Sequence, residues 1–251
     1  MLTRPDPSAL APPPCVAPEH HSLFIDFDGT LVSLVDRPDL VRADDELIDL
    51  LAALRGRFGR RLALVSGRSV EQLDAMIGPA VADITLAGSH GAEIRYDGSL
   101  DHPPRPEGLD AAITDARNFV AKHPQLIVEI KAQGVAIHYR MAPALEPVVI
   151  RAADVIASRH GLHLQPGKKM IELRGGGGDK ATALVALMEK PAFAASTPVM
   201  IGDDLTDEPA LAAASRLGGF GIIVGADRAT AARYALADVA DVRRWLWAVS
   251  E

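Results

Sequence analysis

Asp26 and Asp28 stand one residue apart where the apolar run Leu23-Phe24-Ile25 gives out, and Gly29 and Thr30 follow them directly. Side chains alternate along a strand, so these two carboxylates share a side and their charges crowd together. Two crowded anions are costly unless a cation neutralises them, which points to a hard metal such as Mg²⁺. Gly29 permits a tight turn, and Thr30 sets a hydroxyl beside it. Taken alone, an Asp-x-Asp is also the mark of a solvated turn.

A second acidic group follows another apolar stretch: Asp203, Asp204, Asp207 and Glu208 come straight after Pro198–Ile201. Asp207 and Glu208 suit a helix N-terminus, where the macrodipole favours negative charge. Asp203 and Asp204 precede that helix, at the tip of the strand. With the first pair they would form an oxygen-rich Mg²⁺ site completed by water and phosphate. Ser66 offers a hydroxyl, and the turn through Gly67 and Arg68 offers backbone N–H groups ahead of a helix. Such a loop suits a phosphate oxygen, although a plain N-cap loop has the same composition. Lys180 opens a helix, where a cation opposes the macrodipole; this hints at anion binding, against the ordinary solvated lysine. The segment 175–182 is not a Walker A loop, because Asp179 precedes Lys180 and Ala181 follows it. Its four successive glycines read as a hinge.

The elements that must carry these residues follow an α/β order. After the first strand, Leu47, Ile48, Leu50, Leu51 and Leu54 trace a helical face behind Asp44 and Asp45. Residues 61–65 form a short strand, and a helix then runs from the capping pair Ser69 and Gln72 to Gly78. Residues 84–87 form a third strand. Strand and helix in alternation predict a parallel sheet with right-handed crossovers. From about 91 to 173 the pattern is mixed: helices near 107–122 and 143–160, strands around 126–140 with a turn at Gln133-Gly134, and strands near 162–165 and 169–173. The βα order then resumes with a helix at 179–190, a strand at 198–201, a helix from 206, a strand at 220–224 and terminal helices reaching Trp245 and Trp247. Every candidate cluster falls at the carboxyl end of a strand, where open parallel sheets bind ligands.

The expected domains are therefore a Pro/Ala-rich disordered tail over 1–19, a core over 20–100, an inserted α+β unit over 101–174, and the rest of the core over 175–251. A chain of 251 residues accommodates this arrangement. Its formal net charge of −7 argues against nucleic acid or an anionic membrane as partner. Prolines 5, 7, 12, 13, 14 and 18 interrupt the tail too often for a signal helix, and no apolar run is long enough to span a membrane. A single cysteine, Cys15, leaves no intrachain disulfide and fits a reducing cytoplasm.

Asp26-x-Asp28-Gly29-Thr30, Ser66-Gly67-Arg68, Lys180 and Gly202-Asp203-Asp204, in this order, resemble the haloacid dehalogenase (HAD) superfamily of phosphohydrolases. The chain is further similar, over roughly 22–248, to the trehalose-6-phosphate phosphatase family. Gly88–Glu93, Lys131, His138-Tyr139-Arg140, Glu172 and Gly202–Glu208 carry that likeness. The resemblance implies a Rossmann-like HAD core with an inserted cap of the C2 type, and a Mg²⁺-dependent phosphatase of sugar phosphates. It implies that Asp26 is the nucleophile and Asp28 the general acid and base. Ser66 and Lys180 would hold the phosphoryl oxygens. Mg²⁺ would be held by Asp26, the Asp28 backbone carbonyl and Asp203, supported by Asp204 and Asp207. Glu129, Lys131, His138 and Glu172 would meet trehalose hydroxyls, and Gly67, Arg68 and His90 would border the substrate where core and cap meet. Alternating strands also allow Glu129, Lys131 and His138 to be the solvated face of a hairpin. The chain departs from the family in having Gly175 after Arg174, where proline is usual, and Ala181 after Lys180, where glycine is usual. The implied partner is a small sugar phosphate met by a monomer. Sucrose phosphate or mannosylphosphoglycerate is the alternative substrate, and a phosphomutase or an inert binding module the alternative class.

Overall fold

The computed structural model describes residues 10–34, 41–79, 83–102, 104–167, 169–176, 178–225 and 228–251. The chain divides into two compact units, 1–102 with 178–251, and 103–177. The first part of the larger unit contains β1 (His21–Ile25), α1 (Asp45–Phe58), β2 (Leu62–Val65), α2 (Val70–Ile77), β3 (Thr85–Gly88), β4 (Glu93–Tyr96) and β5 (Ser99–Asp101). The smaller unit contains α3 (Leu109–Val120), β6 (Ile127–Ile130), β7 (Gly134–His138), α4 (Glu146–His160), β8 (His163–Gly167) and β9 (Met170–Arg174). The larger unit resumes with α5 (Lys180–Met188), β10 (Thr197–Gly202), α6 (Glu208–Arg216), β11 (Phe220–Val224), β12 (Tyr234–Leu236) and α7 (Val239–Ser250).

The larger unit is built on a sheet of order β12-β11-β10-β1-β2-β3-β4-β5. It is parallel from β12 to β3 and turns antiparallel at β4 and β5. Helices cover both faces. Leu23 and Ile25 of β1 pack with the apolar sides of α1, α2 and α7, whereas Phe24 between them packs with α5 and α6. Burial on both faces explains why the central strands are continuous apolar runs. The local signals at helix ends are realised as well. Ser69 and Gln72 form the reciprocal capping box of α2, and Gly78 ends it with φ +72°.

Four features differ from expectation. Asp97 and Gly98 both adopt positive φ and make a two-residue hairpin turn that adds β4 and β5 to the sheet. β12 is a further short strand, and the terminal helical region is the single helix α7. The Pro-rich tail expected to be disordered is packed over its described part, residues 10–19. Val16 lies in the core, the Trp245 indole N–H donates to the Pro14 carbonyl, and the Ala235 N–H of β12 donates to the Ala11 carbonyl. Prolines prevented a helix there but not docking. The remainder of the expected tail, 1–9, lies outside the described residues.

In the smaller unit α3 and α4 pack on one face of a four-stranded antiparallel sheet of order β6-β7-β9-β8. Val135, Ile137, Ile171 and Leu173 point into that core. Alternation puts Glu129, His138, Glu172 and Arg174 on the opposite face, with Glu129 paired to Ala136 and Ala136 to Glu172 across the strands.

Candidate active site

The ends of β1 and β10 meet at the site. The Asp26 N–H still donates to Ile201 of β10, at 2.9 Å, so the ladder holds this residue one step beyond the strand. The chain then turns sharply: the Leu31 and Val32 N–H groups return to the Phe27 carbonyl, and Gly29 takes φ +87°. A Cβ on Gly29 would lie 2.2 Å from Asp203 Oδ2, so only glycine lets the loop pass over that carboxylate. A Cβ on Gly202 would likewise sit 2.4 Å from the Asp207 carboxyl carbon.

Asp207 stands at the end of a short 3₁₀ turn, Leu205–Asp207, and is fully buried. Its Oδ2 accepts the N–H groups of Asp203 and Asp204 at 3.0 and 2.9 Å, and its Oδ1 accepts Lys180 Nζ at 2.6 Å. Lys180 Nζ also donates to Asp26 Oδ1 at 2.6 Å, linking the first and the second acidic motif through one ammonium. Asp179 caps α5 by a reciprocal exchange with Thr182, which fixes the position from which Lys180 reaches inward. Lys180 is therefore a buried, paired cation, not the solvated lysine that its helix-start position also allowed.

Asp26, Asp203 and Asp207 each present an oxygen within 4.8 Å of the others. Burial, then Asp207 and also Asp203, push the Asp26 carboxyl well above its ordinary range, and Lys180 pulls back only part of that shift. Burial disfavours the Lys180 ammonium, but Asp207 and Asp26 outweigh it, and its pKa moves up. Three acidic side chains thus crowd around a single ammonium, and the raised Asp26 pKa reflects that crowding, which a hard divalent cation would relieve. The donor set, all carboxylate oxygen, fits Mg²⁺.

Asp28 lies outside this triad. Both of its oxygens are held by Arg68, with Nε and Nη2 at 2.6 Å each. Arg68 comes from the loop after β2, where its own N–H donates to the buried Ser66 hydroxyl at 3.1 Å. The Ser66 carbonyl accepts the His90 N–H at 2.8 Å, and a Cβ on Gly67 would lie 2.7 Å from the His90 ring. Ser66, Gly67, Arg68 and His90 are therefore brought together at the ends of β2 and β3. Asp204 caps the 3₁₀ turn by accepting the Leu205 N–H at 2.6 Å.

The four residues expected on the sugar lie together in the smaller unit. Lys131 Nζ donates to Glu172 Oε2 at 2.5 Å with both side chains buried, and His138 Nε2 and Glu129 Oε2 are 2.8 Å apart. They form a paired, largely buried polar cluster, which excludes the reading of a solvated hairpin face. Arg174, buried on the same sheet face, was not singled out from sequence. One further residue near the acidic loop also escaped the sequence reading. Arg228 pairs with Glu208 and donates from Nη2 to the Asp203 carbonyl at 3.3 Å, bracing the acidic loop from behind. Nothing in the local sequence around Arg228 signals this, since its partners are some 20 and 25 residues away.

The sequence profile of the trehalose-phosphatase family matches residues 24–240. The chain belongs to that family. It is 37% identical to trehalose-6-phosphate phosphatase of Escherichia coli K12 over 229 residues, 90% of this chain and 85% of that one. Its fold matches the crystal structure of a trehalose-6-phosphate phosphatase related protein, with a TM-score of 0.79, 29% identity, and coverage of 91% and 96% of the two chains. A HAD-superfamily phosphatase from Bacteroides thetaiotaomicron shares the fold alone, with a TM-score of 0.60 and 16% identity over 92% of this chain and 95% of that one. This member of the family is thus a phosphoric monoester hydrolase with a HAD-type core and an inserted α+β unit.

Proposed function

We propose that this enzyme hydrolyses trehalose 6-phosphate to trehalose and inorganic phosphate, with Mg²⁺ as cofactor and a phosphoryl group carried transiently on Asp26. The chemistry rests on one observation above others: a buried carboxylate at the tip of β1, bonded to the Lys180 ammonium with Asp203 and Asp207 beside it. The substrate rests on the relatives, which are named for trehalose 6-phosphate.

In this reading Asp26, Asp203 and the Asp28 backbone carbonyl hold Mg²⁺, with Asp204 and Asp207 in support. When bound, the cation offsets the charge of the phosphoryl oxygens and of the carboxylates around it. An Asp26 oxygen attacks phosphorus in line, and the bond from phosphorus to the sugar oxygen breaks as the Asp28 carboxyl hands that oxygen its proton. The Asp28 carboxylate then takes a proton from water, whose oxygen attacks the phosphoryl group and restores Asp26. Lys180 and Ser66 stabilise the phosphoryl oxygens as charge shifts between them. Glu129, Lys131, His138 and Glu172 recognise the disaccharide, and Gly67, Arg68 and His90 border it.

The enzyme is read as cytoplasmic, given a lone exposed Cys15 and, among the described residues, no helix long and apolar enough to cross a membrane. The test is a phosphate-release assay over trehalose 6-phosphate, sucrose phosphate, mannosylphosphoglycerate and glucose 6-phosphate, with Mg²⁺ and with EDTA. Preference for trehalose 6-phosphate and silence in EDTA are expected. Equal rates across the panel, or full activity after metal is stripped, would overturn the reading.

A further inference from the structure

Glu93 is a buried carboxylate that the mechanism above does not use. It opens β4, opposite Gly88 in the antiparallel register, and is 4% exposed. Its Oε1 accepts the Ser89 hydroxyl at 2.8 Å, and its Oε2 accepts the Val70 N–H in the first turn of α2 at 2.8 Å. One side chain therefore spans two loops, the one after β2 and the one after β3.

Both loops need holding. Ser89 and His90 adopt φ of +50° and +56°, a left-handed conformation that disfavours any residue with a Cβ, and two in succession compound the strain. The loops also lie unusually close. A Cβ on Gly88 would be 2.7 Å from the Val70 nitrogen and 2.9 Å from the Arg68 carbonyl oxygen, and that same carbonyl accepts the Ser89 N–H at 2.7 Å. Arg68, whose guanidinium grips both oxygens of Asp28, is thus set in place by backbone contacts that Glu93 closes from the other side.

We infer that Glu93 is a positioning residue: by tying Ser89 to the start of α2 it holds the Arg68 loop in register and so aims the Asp28 carboxyl at the leaving oxygen. The inference rests on the functional reading above for the role of Asp28, and it adds a residue from outside the catalytic motifs. Glutamine can keep both bonds, its carbonyl accepting the Val70 N–H while its amide donates to a Ser89 hydroxyl turned to accept. Alanine keeps neither.

The test is a double-mutant cycle on kcat/KM, run on trehalose 6-phosphate and on a simple alkyl phosphate, with aryl phosphates for comparison. Glu93→Ala is expected to lose about 10- to 100-fold on the alkyl esters, the range a misplacement of about 1 Å costs. Aryl phosphates, whose leaving groups need little protonation, should lose far less. Adding Glu93→Ala to Arg68→Ala should cost nothing further, because one acts through the other. Glu93→Gln should recover to within about threefold of wild type. Thermal melts establish the folded fraction, and if Glu93→Ala does not fold, Ser89→Ala, which removes one of the two bonds, carries the same cycle. Losses that multiply in the double mutant, or that are equal on alkyl and aryl esters, would overturn the positioning role. Wild-type protein that leaves every ester intact would overturn the functional reading itself.

Discussion

Gly29→Ala isolates the steric fit between the first and second acidic motifs. The new methyl group would start 2.2 Å from Asp203 Oδ2 and 2.6 Å from Oδ1, against the 3.4 Å at which ordinary contact begins. Something must yield by about 1 Å. The Asp203 backbone is tied to Asp207 through its N–H and to Arg228 through its carbonyl, so the carboxylate is the part that moves. Alanine at φ +87° adds roughly 1–2 kcal/mol of backbone strain. A displacement of this size at a cation ligand should raise the Mg²⁺ concentration for half-activity at least about tenfold and lower kcat by up to about 100-fold. Gly59→Ala is the control: φ there is +55°, and no atom lies within 4 Å of the added Cβ. It should lose similar stability, seen as about 2–8 °C in Tm, and leave the Mg²⁺ titration where it was. A Gly29→Ala enzyme with wild-type Mg²⁺ midpoint and kcat would refute the assignment of Asp203 to the cation.

Asp26→Asn should abolish phosphate release, since an amide cannot attack phosphorus usefully, while the melt stays cooperative; retention of a tenth of wild-type turnover would rule out the covalent route. Lys131→Ala or Glu172→Ala should cost about 1–3 kcal/mol in kcat/KM toward trehalose 6-phosphate and almost nothing toward an aryl phosphate, and an equal loss on both would remove these residues from sugar recognition. Burial opposes it, but hydrogen bonds from Arg243 and the Leu47 N–H hold the Asp44 carboxyl below its ordinary 3.8. A group whose folded pKa is lowered contributes stability above its unfolded pKa and loses it as pH falls through the folded value. Asp44→Ala should therefore lower stability by about 1 kcal/mol at pH 7, mostly as a lost helix cap, and chemical denaturation should show the gap closing below about pH 4.

The parts of the molecule that were legible are those whose signals are local. A capping pair such as Ser69 and Gln72 declares itself within four residues, and the apolar strands announce a sheet covered on both faces. Contacts between distant segments were not legible. Arg68 reaches Asp28 across 40 residues, a pairing that no spacing rule contains. Asp207 was legible as an acid but not as a buried one, because a helix-start carboxylate and a buried cluster member look alike in sequence; its closeness to Asp26 and Asp203 is tertiary. β4 and β5 were missed although Asp97-Gly98 is a strong hairpin signal, because Glu93–Asp101 carries charges on both strands and little apolar alternation. Proline content spoke for disorder in the tail; Val16 and the bond from Trp245 to Pro14, both tertiary, decide its described part.

That docked strip has a consequence for how the molecule behaves in a crowd. The last strand of a sheet is a template on which another chain can pair, and β12 occupies that place here. The strip around Ala11 engages one of its amides and covers apolar surface through Leu10, so the margin is partly closed by the protein's own chain. At the far margin β5 offers only Ser99-Leu100-Asp101, too short and too charged to recruit a neighbour readily. Trimming the chain to begin at His20 would leave the catalytic residues in place but unmask β12 and the Trp245 indole. Such a trimmed enzyme should remain active when dilute and self-associate as its concentration rises, which light scattering across a concentration series would register.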